Sequence, residues 1–161
     1  MIALKVKQQK VFMAKLLTTE AFDDFLVTEA TIDTYNTFHI DGKINKEFYQ
    51  DGELPDTDHS KWSTIRPIAL ELIKGKITPL GFKFVLQLDS KRKEELLKNS
   101  DADLNPDQVS LGINIRFANG EVIITTGISY SLFTLDKSAE KAWDEYIPSL
   151  LDSYDISNDI L

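Results

Sequence analysis

The chain contains no cysteine. That absence excludes disulfides, thiolate metal sites and a cysteine nucleophile, and it fits a reducing cytoplasm. Histidine is scarce as well. His39 and His59 are the only two, so imidazole chemistry has few residues to draw on. No run approaches the about 20 apolar residues of a membrane span, and no membrane contact is expected. Met1–Lys7 does not read as a signal peptide, because lysines break its apolar stretch. The seven glycines are scattered, so no glycine-rich loop is available to cradle phosphate. The Gly-x-Ser-x-Gly nucleophile pattern is missing. Ser138-Ala139-Glu140-Lys141 matches Ser-x-x-Lys, but it opens an amphipathic helix and lacks the partner motifs. The expectation is therefore no catalytic residue, no metal ligand and no cofactor.

What is present is ordinary globular material. The 161 residues suit a single domain spanning 1–161. Hydrophobic residues make up 42% and aromatics 10%, enough apolar material to offset the entropy of ordering the chain. Net charge is −8, which argues against a surface that grips nucleic acid all round. The charge is unevenly placed, however. Residues 1–19 hold Lys5, Lys7, Lys10 and Lys15 with no acid, whereas residues 136–161 hold seven acids against Lys137 and Lys141, a net of −5. The plain reading is a solvated surface; the functional one is a face for an anionic partner.

Hydrophobic periodicity organises the chain. Ile2–Val6 predicts a short strand, and Gln8–Leu17 a helix with Phe12, Met13, Leu16 and Leu17 on one side. Phe25–Asp41 predicts one long strand with Ala30, Ile32, Phe38 and Ile40 on a shared face. Asp41-Gly42 marks a turn into a strand over Ile44–Tyr49. A three-residue loop sets Ile40 opposite Ile44 and a two-residue loop sets His39 there; the first is preferred because it keeps apolar residues together. Asp51–Ser60 is a polar loop with Pro55. Pro67 stands near the start of a helix to Lys74, with Ile65, Ile68, Leu72 and Ile73 as its apolar face and Gly75 as its stop. Phe82, Phe84, Leu86 and Leu88 alternate as a strand over Gly81–Leu88, and Ser90 can cap a short helix through Lys98. Leu111–Phe117 and Val122–Leu132 flank Asn119-Gly120, the preferred pair for a type I′ hairpin, with Phe117 opposite Val122, Ile115 opposite Ile124 and Leu111 opposite Ile128. Asp136 can cap a last amphipathic helix, and Pro148 should kink or restart it.

These elements make an α+β fold, a mainly antiparallel sheet with about four helices. Strand, helix, long strand, turn, strand describes residues 2–49, and the same words describe residues 81–132. The order admits two similar halves, without sequence identity to support them.

Three constellations bear on chemistry. Asp101-x-Asp103-x-Asn105-x-Asp107 begins like a calcium loop, but Pro106 occupies the glycine position and Gly112 the bidentate-glutamate position. His39 and Asp41 share a strand face, and Asp56, Asp58 and His59 crowd one loop. A hydrolase or small-ligand enzyme would need the fold to bring these together. Trp62 and Arg66 lie one turn apart if the helix begins early; a cation–π pair competes with a Trp that simply closes the core.

Several stretches carry a resemblance. They are Met1-Ile2-Ala3-Leu4-Lys5-Val6, Thr37-Phe38-His39-Ile40-Asp41-Gly42, Thr78-Pro79-Leu80-Gly81-Phe82-Lys83, Asn114-Ile115-Arg116-Phe117-Ala118-Asn119-Gly120, and Phe133-Thr134-Leu135-Asp136-Lys137-Ser138 leading to Ala142-Trp143-Asp144-Glu145. Together they span almost the whole chain. The sequence resembles a family of uncharacterised proteins from Gram-positive bacteria, a domain of unknown function. The resemblance implies no activity, substrate or site residue.

The leading functional expectation is a non-enzymatic binding or interaction domain, with a protein partner or self-association. A second comes from the two-half outline, which is similar to the halves of DNA sliding-clamp domains, whose helices face the duplex. Lys7, Lys10, Lys15, Lys91, Arg92, Lys93 and Lys98 fall on the corresponding helices and would contact phosphates through charge. The third is the hydrolase built on His39 and its nearby acids.

Overall fold

Seven strands and four helices are arranged along the chain in the computed structural model, which describes residues 1–50 and 52–161. They are β1 (Ala3–Val6), α1 (Gln9–Thr18), β2 (Phe25–Asp33), β3 (Thr37–Asp41), α2 (Trp62–Ile73), β4 (Gly81–Leu88), α3 (Ser90–Lys98), β5 (Val109–Ala118), β6 (Glu121–Tyr130), α4 (Ser138–Ser153) and β7 (Asn158–Ile160). The strands form one sheet in the order β3-β2-β4-β5-β6-β1-β7, and every pairing is antiparallel. The fold is α+β. No described helix is long and apolar enough to cross a membrane.

Alternation along the strands separates two faces. Phe82, Phe84, Leu86 and Leu88 of β4 are buried, as are Val109, Leu111, Ile113 and Ile115 of β5. The other parity carries Lys83, Val85 and Gln87, then Ser110, Asn114 and Arg116. Trp62 of α2 meets Phe84 with ring centroids 5.1 Å apart, and Trp143 of α4 meets Phe25 at 6.4 Å. The helices thus cover one face and leave the other open, a division antiparallel sheets tolerate well. One continuous core joins them.

The β5–β6 hairpin has the expected register: Phe117 opposes Val122, Ile115 opposes Ile124 and Leu111 opposes Ile128. Asn119 and Gly120 both take positive φ, 53° and 75°, as a type I′ turn requires.

Elsewhere tertiary packing overrode the local reading. Phe25–Asp41 is two strands, not one. β2 turns back through Thr34–Asn36, so that Ala30 opposes Ile40 and Ile32 opposes Phe38. The predicted shared face survives because a three-residue turn preserves parity. Ile40 therefore does not oppose Ile44, and Ile44–Tyr49 is not a strand. Lys43 forms a bridge with His59 instead, and Lys46–Tyr49 is a 3-10 turn. Gly42 marks a close approach: a Cβ there would overlap the backbone carbonyl of Val27. Of the Asp51–Ser60 loop, Asp51 lies outside the described residues.

The helices differ in detail from expectation. α2 begins at Trp62, so Pro67 falls inside it, and Ile68 is 49% exposed while Ala69 takes the inward position. Asp89, not Ser90, caps α3, accepting from the Arg92 N–H at 2.8 Å. Asp136 is not the N-cap of α4, which is Lys137; from two residues before the helix it accepts from the Ser138 N–H at 2.9 Å. α4 runs through Pro148 without restarting. β7 was not expected; it follows α4 and pairs with β1.

The two halves do not repeat their pairing. β4 pairs directly with β5, whereas β1 pairs with β6 and β7 and never with β2. The repeated element order is not a repeated sheet.

Candidate functional site

A groove opens on the helical side, where α1 and the last turn of α2 stand apart above the sheet. Its volume is about 440 Å³. Met13 and Leu17, one helical turn apart, form the α1 wall, and Leu70 and Ile73 form the α2 wall. Phe82, Phe117 and Val122 form the floor, with the Phe82 and Phe117 rings 5.3 Å apart. Thr78 and Pro79, from the loop entering β4, close one end.

The groove follows from local structure. α1 and α2 are joined tightly at one place: the Trp62 indole N–H donates to the Leu16 carbonyl at 2.9 Å, and Trp62 is fully buried. Arg66 then holds the chain after α1, donating to the Thr19 carbonyl at 2.9 Å and to Asp23 at 3.1 Å. Trp62 is thus a core residue, and Arg66 turns to a carboxylate and a carbonyl. Burial raises the Asp23 pKa above its ordinary value despite the guanidinium beside it.

The rim is cationic. Among the residues lining the groove, the charged ones are Lys10 and Lys74, and none is acidic. Lys74 pairs with Glu71 at 2.6 Å, while Lys10 is exposed and makes no ion pair among the described residues. Gln9 donates its side-chain amide to the Gly120 carbonyl, and Thr18 its hydroxyl to the Ala14 carbonyl. Chemically, such a site can hold an apolar body and attract an anionic end. Periodicity puts Met13 and Leu17 on the apolar side of α1, and both pack with the core, Leu17 buried and Met13 half-buried. An incompletely covered core position has no signature of its own in periodicity; the one available signal is Lys10, a turn before Met13.

The basic residues named from sequence are dispersed. Lys10 and Lys15 lie on α1, and Lys91, Arg92, Lys93 and Lys98 on α3. Lys7 precedes α1 and pairs with Asp159 at 3.2 Å. Arg92 pairs with Asp24 at 3.0 Å and reaches Glu95 at 3.4 Å. Lys93 donates to the Val109 carbonyl at 3.0 Å, and burial pushes its ammonium below the ordinary lysine value. Lys10, Lys15, Lys91 and Lys98 make no ion pair among the described residues.

The histidine constellation is divided. His39 lies on the open sheet face, 3.2 Å from the Thr31 hydroxyl, and Asp41 accepts from the Lys43 N–H. His59 and Asp58 line a different concavity with Lys43, Ile44, Asn45, Lys46 and Glu47, and Asp58 pairs with Lys46 at 3.4 Å. His39 and Asp41 are not in that lining. In the 101–107 segment, Asn105 accepts from the Asp107 N–H at 3.0 Å, starting the 3-10 turn Pro106–Gln108. No three histidines or carboxylates converge to hold an ion among the described residues.

Comparison with curated proteins and with solved structures finds no match for the chain. A family model does match, and it covers residues 15–159, from the middle of α1 to β7. That span includes Leu17, the α2 wall, the aromatic floor of the groove and strands β2 to β6, while Lys10 and Met13 lie before it and β7 is covered only through Asp159. The chain belongs to the family of unknown function DUF5721.

Proposed function

We propose that residues 1–161 act as a single, non-enzymatic binding domain in the cytoplasm, with the groove between α1 and α2 as its receptor site. The observation that carries this reading is the lining. Apolar walls and an aromatic floor form a concavity of about 440 Å³, inside the roughly 300–1,000 Å³ range of small-ligand sites. Its lining side chains include no acid, histidine or serine that could serve as base or nucleophile.

Titration of the ¹⁵N-labelled protein with an uncharged apolar probe, decanol, tests the reading. Shifts are expected at Met13, Leu17, Leu70, Phe82 and Phe117, and Ala14→Trp, which fills the groove, abolishes them. The probe is recovered unchanged. Shifts confined to other regions, or none, refute the receptor site.

A second reading rests on Lys10, Lys15, Lys91 and Lys98, whose helices cover the same side of the sheet. In it the protein is a nucleic-acid-associated domain, clamp-like when oligomerised, held by phosphate contacts that weaken steeply with salt. Binding to a DNA duplex at low salt, lost in a variant with these four lysines changed to glutamate, is the result expected. Absence of binding at low salt disposes of it.

A further inference from the structure

We infer that the α1–α2 groove takes a straight-chain amphiphile with one carboxylate headgroup, its tail across Phe82 and Phe117 and its head at Lys10. The inference rests on the receptor reading above and names the ligand class.

Three features select this chemistry. The first is the interior, where apolar side chains on walls and floor reward burial of a hydrocarbon chain in proportion to its length. The second is the accounting of polar groups at the rim. The Gln9 amide and the Thr18 hydroxyl are committed to backbone carbonyls, and Lys74 to Glu71. Lys10 and the Thr78 hydroxyl remain, one cation and one neutral donor with no partner among the described residues. One uncommitted cation matches one negative charge. The third is contrast with the rest of the molecule. The protein carries a net charge of −8, yet the groove is lined by lysines without an acid, so its rim attracts anions against the sign of the whole molecule. An alkyl amine would meet Lys10 and Lys74 as like charges, and an alkanol would leave Lys10 unpaired.

Calorimetric titration with octanoate, decanoate and dodecanoate, all below their micellar concentrations, tests the inference. Decanol, decylamine and decyl phosphate serve as matched headgroups. Affinity is expected to rise roughly fourfold per added methylene until the groove is full. Decanoate binds more tightly than decanol, and decylamine binds most weakly. Lys10→Glu weakens decanoate by about two- to fivefold and decanol by less, as expected for an exposed ion pair. Ala14→Trp blocks every probe.

The failures are distinguishable. Decanol equal to decanoate, or decanoate indifferent to Lys10→Glu, overturns the carboxylate assignment while the receptor site stands. Decyl phosphate binding more tightly than decanoate also overturns it, in favour of a phosphate headgroup. If no probe binds in a manner sensitive to Ala14→Trp, the receptor reading fails and the inference with it.

Discussion

Lys83 on β4 and Arg116 on β5 stand directly opposite one another, so two cations share one step of the open sheet face. Lys83 is partly neutralised by Glu29 at 2.9 Å on the neighbouring β2 strand. Arg116 is exposed and has no ion pair among the described residues. Like charges directly opposite across an antiparallel pair are destabilising, which makes this step a measurable weakness.

Arg116→Glu should therefore stabilise the fold. Replacing the repulsive pair by an attractive one is worth about 0.2–1 kcal/mol, with Arg116→Thr giving a smaller gain. Urea unfolding reads it as a higher midpoint at unchanged slope. A lower midpoint for Arg116→Glu would show that the guanidinium makes a favourable interaction on this face.

Trp62 is the joint between α1 and α2. Trp62→Phe retains most of the apolar surface but removes the N–H that meets the Leu16 carbonyl. A buried acceptor left without its donor costs about 1–3 kcal/mol, beyond the loss of ring volume. Trp62→Ala should cost about 3–5 kcal/mol. Both are measured by denaturant unfolding, and a loss below ~0.5 kcal/mol for Trp62→Phe would mean that the hydrogen bond carries little weight.

Gly42 tolerates no side chain. A Cβ would overlap the Val27 carbonyl, and backbone on both sides is held, Gly42 donating to the Thr28 carbonyl at 3.0 Å and accepting from the Ser60 N–H at 2.8 Å. Gly42→Ala is expected to destabilise by at least ~3 kcal/mol, the upper end for overpacking. Thermal unfolding would reveal it as a large fall in Tm, whereas Gly120→Ala meets no atom and suffers only from its positive φ.

Asp136 gives a pH signature. Its hydrogen bonds to Ser138 lower its pKa below the ordinary 3.8. The ionised carboxylate is thus favoured in the folded state. Its contribution is complete above the unfolded value and is lost as pH falls through the folded value. Wild type should exceed Asp136→Ala in Tm at pH 7, and the gap should close below pH ~4. A gap that persists unchanged at pH 2 would contradict this origin.

Local chemistry in the sequence determined much of this protein. Asn119-Gly120 with alternation on both sides specified a hairpin and its register, because turn type and apolar parity allow only one pairing. Clustered apolar positions specified α1 and α4, because a helix with one apolar stripe has one way to bury it. Strand parity survived even where the boundary was misplaced: Ala30, Ile32, Phe38 and Ile40 face the core although a turn separates them. That turn, Thr34-Tyr35-Asn36, contains neither glycine nor proline, and Asn36 alone is a weaker mark than the β-branched and aromatic run around it.

Only the tertiary structure decided how these pieces meet. Strand order depends on partners distant in the chain; β1 lies between β6 and β7, and no local pattern encodes that choice. The commitments of charged groups were equally hidden. Arg92, Lys93 and Lys7 look like free cations in sequence, yet each is taken by Asp24, the Val109 carbonyl or Asp159. The groove is a property of spacing between helices, whereas periodicity reports only which side of each helix is apolar. Periodicity puts Met13 and Leu17 on the apolar side of α1, and only the tertiary placement of α1, the end of α2 and the sheet makes them line a groove.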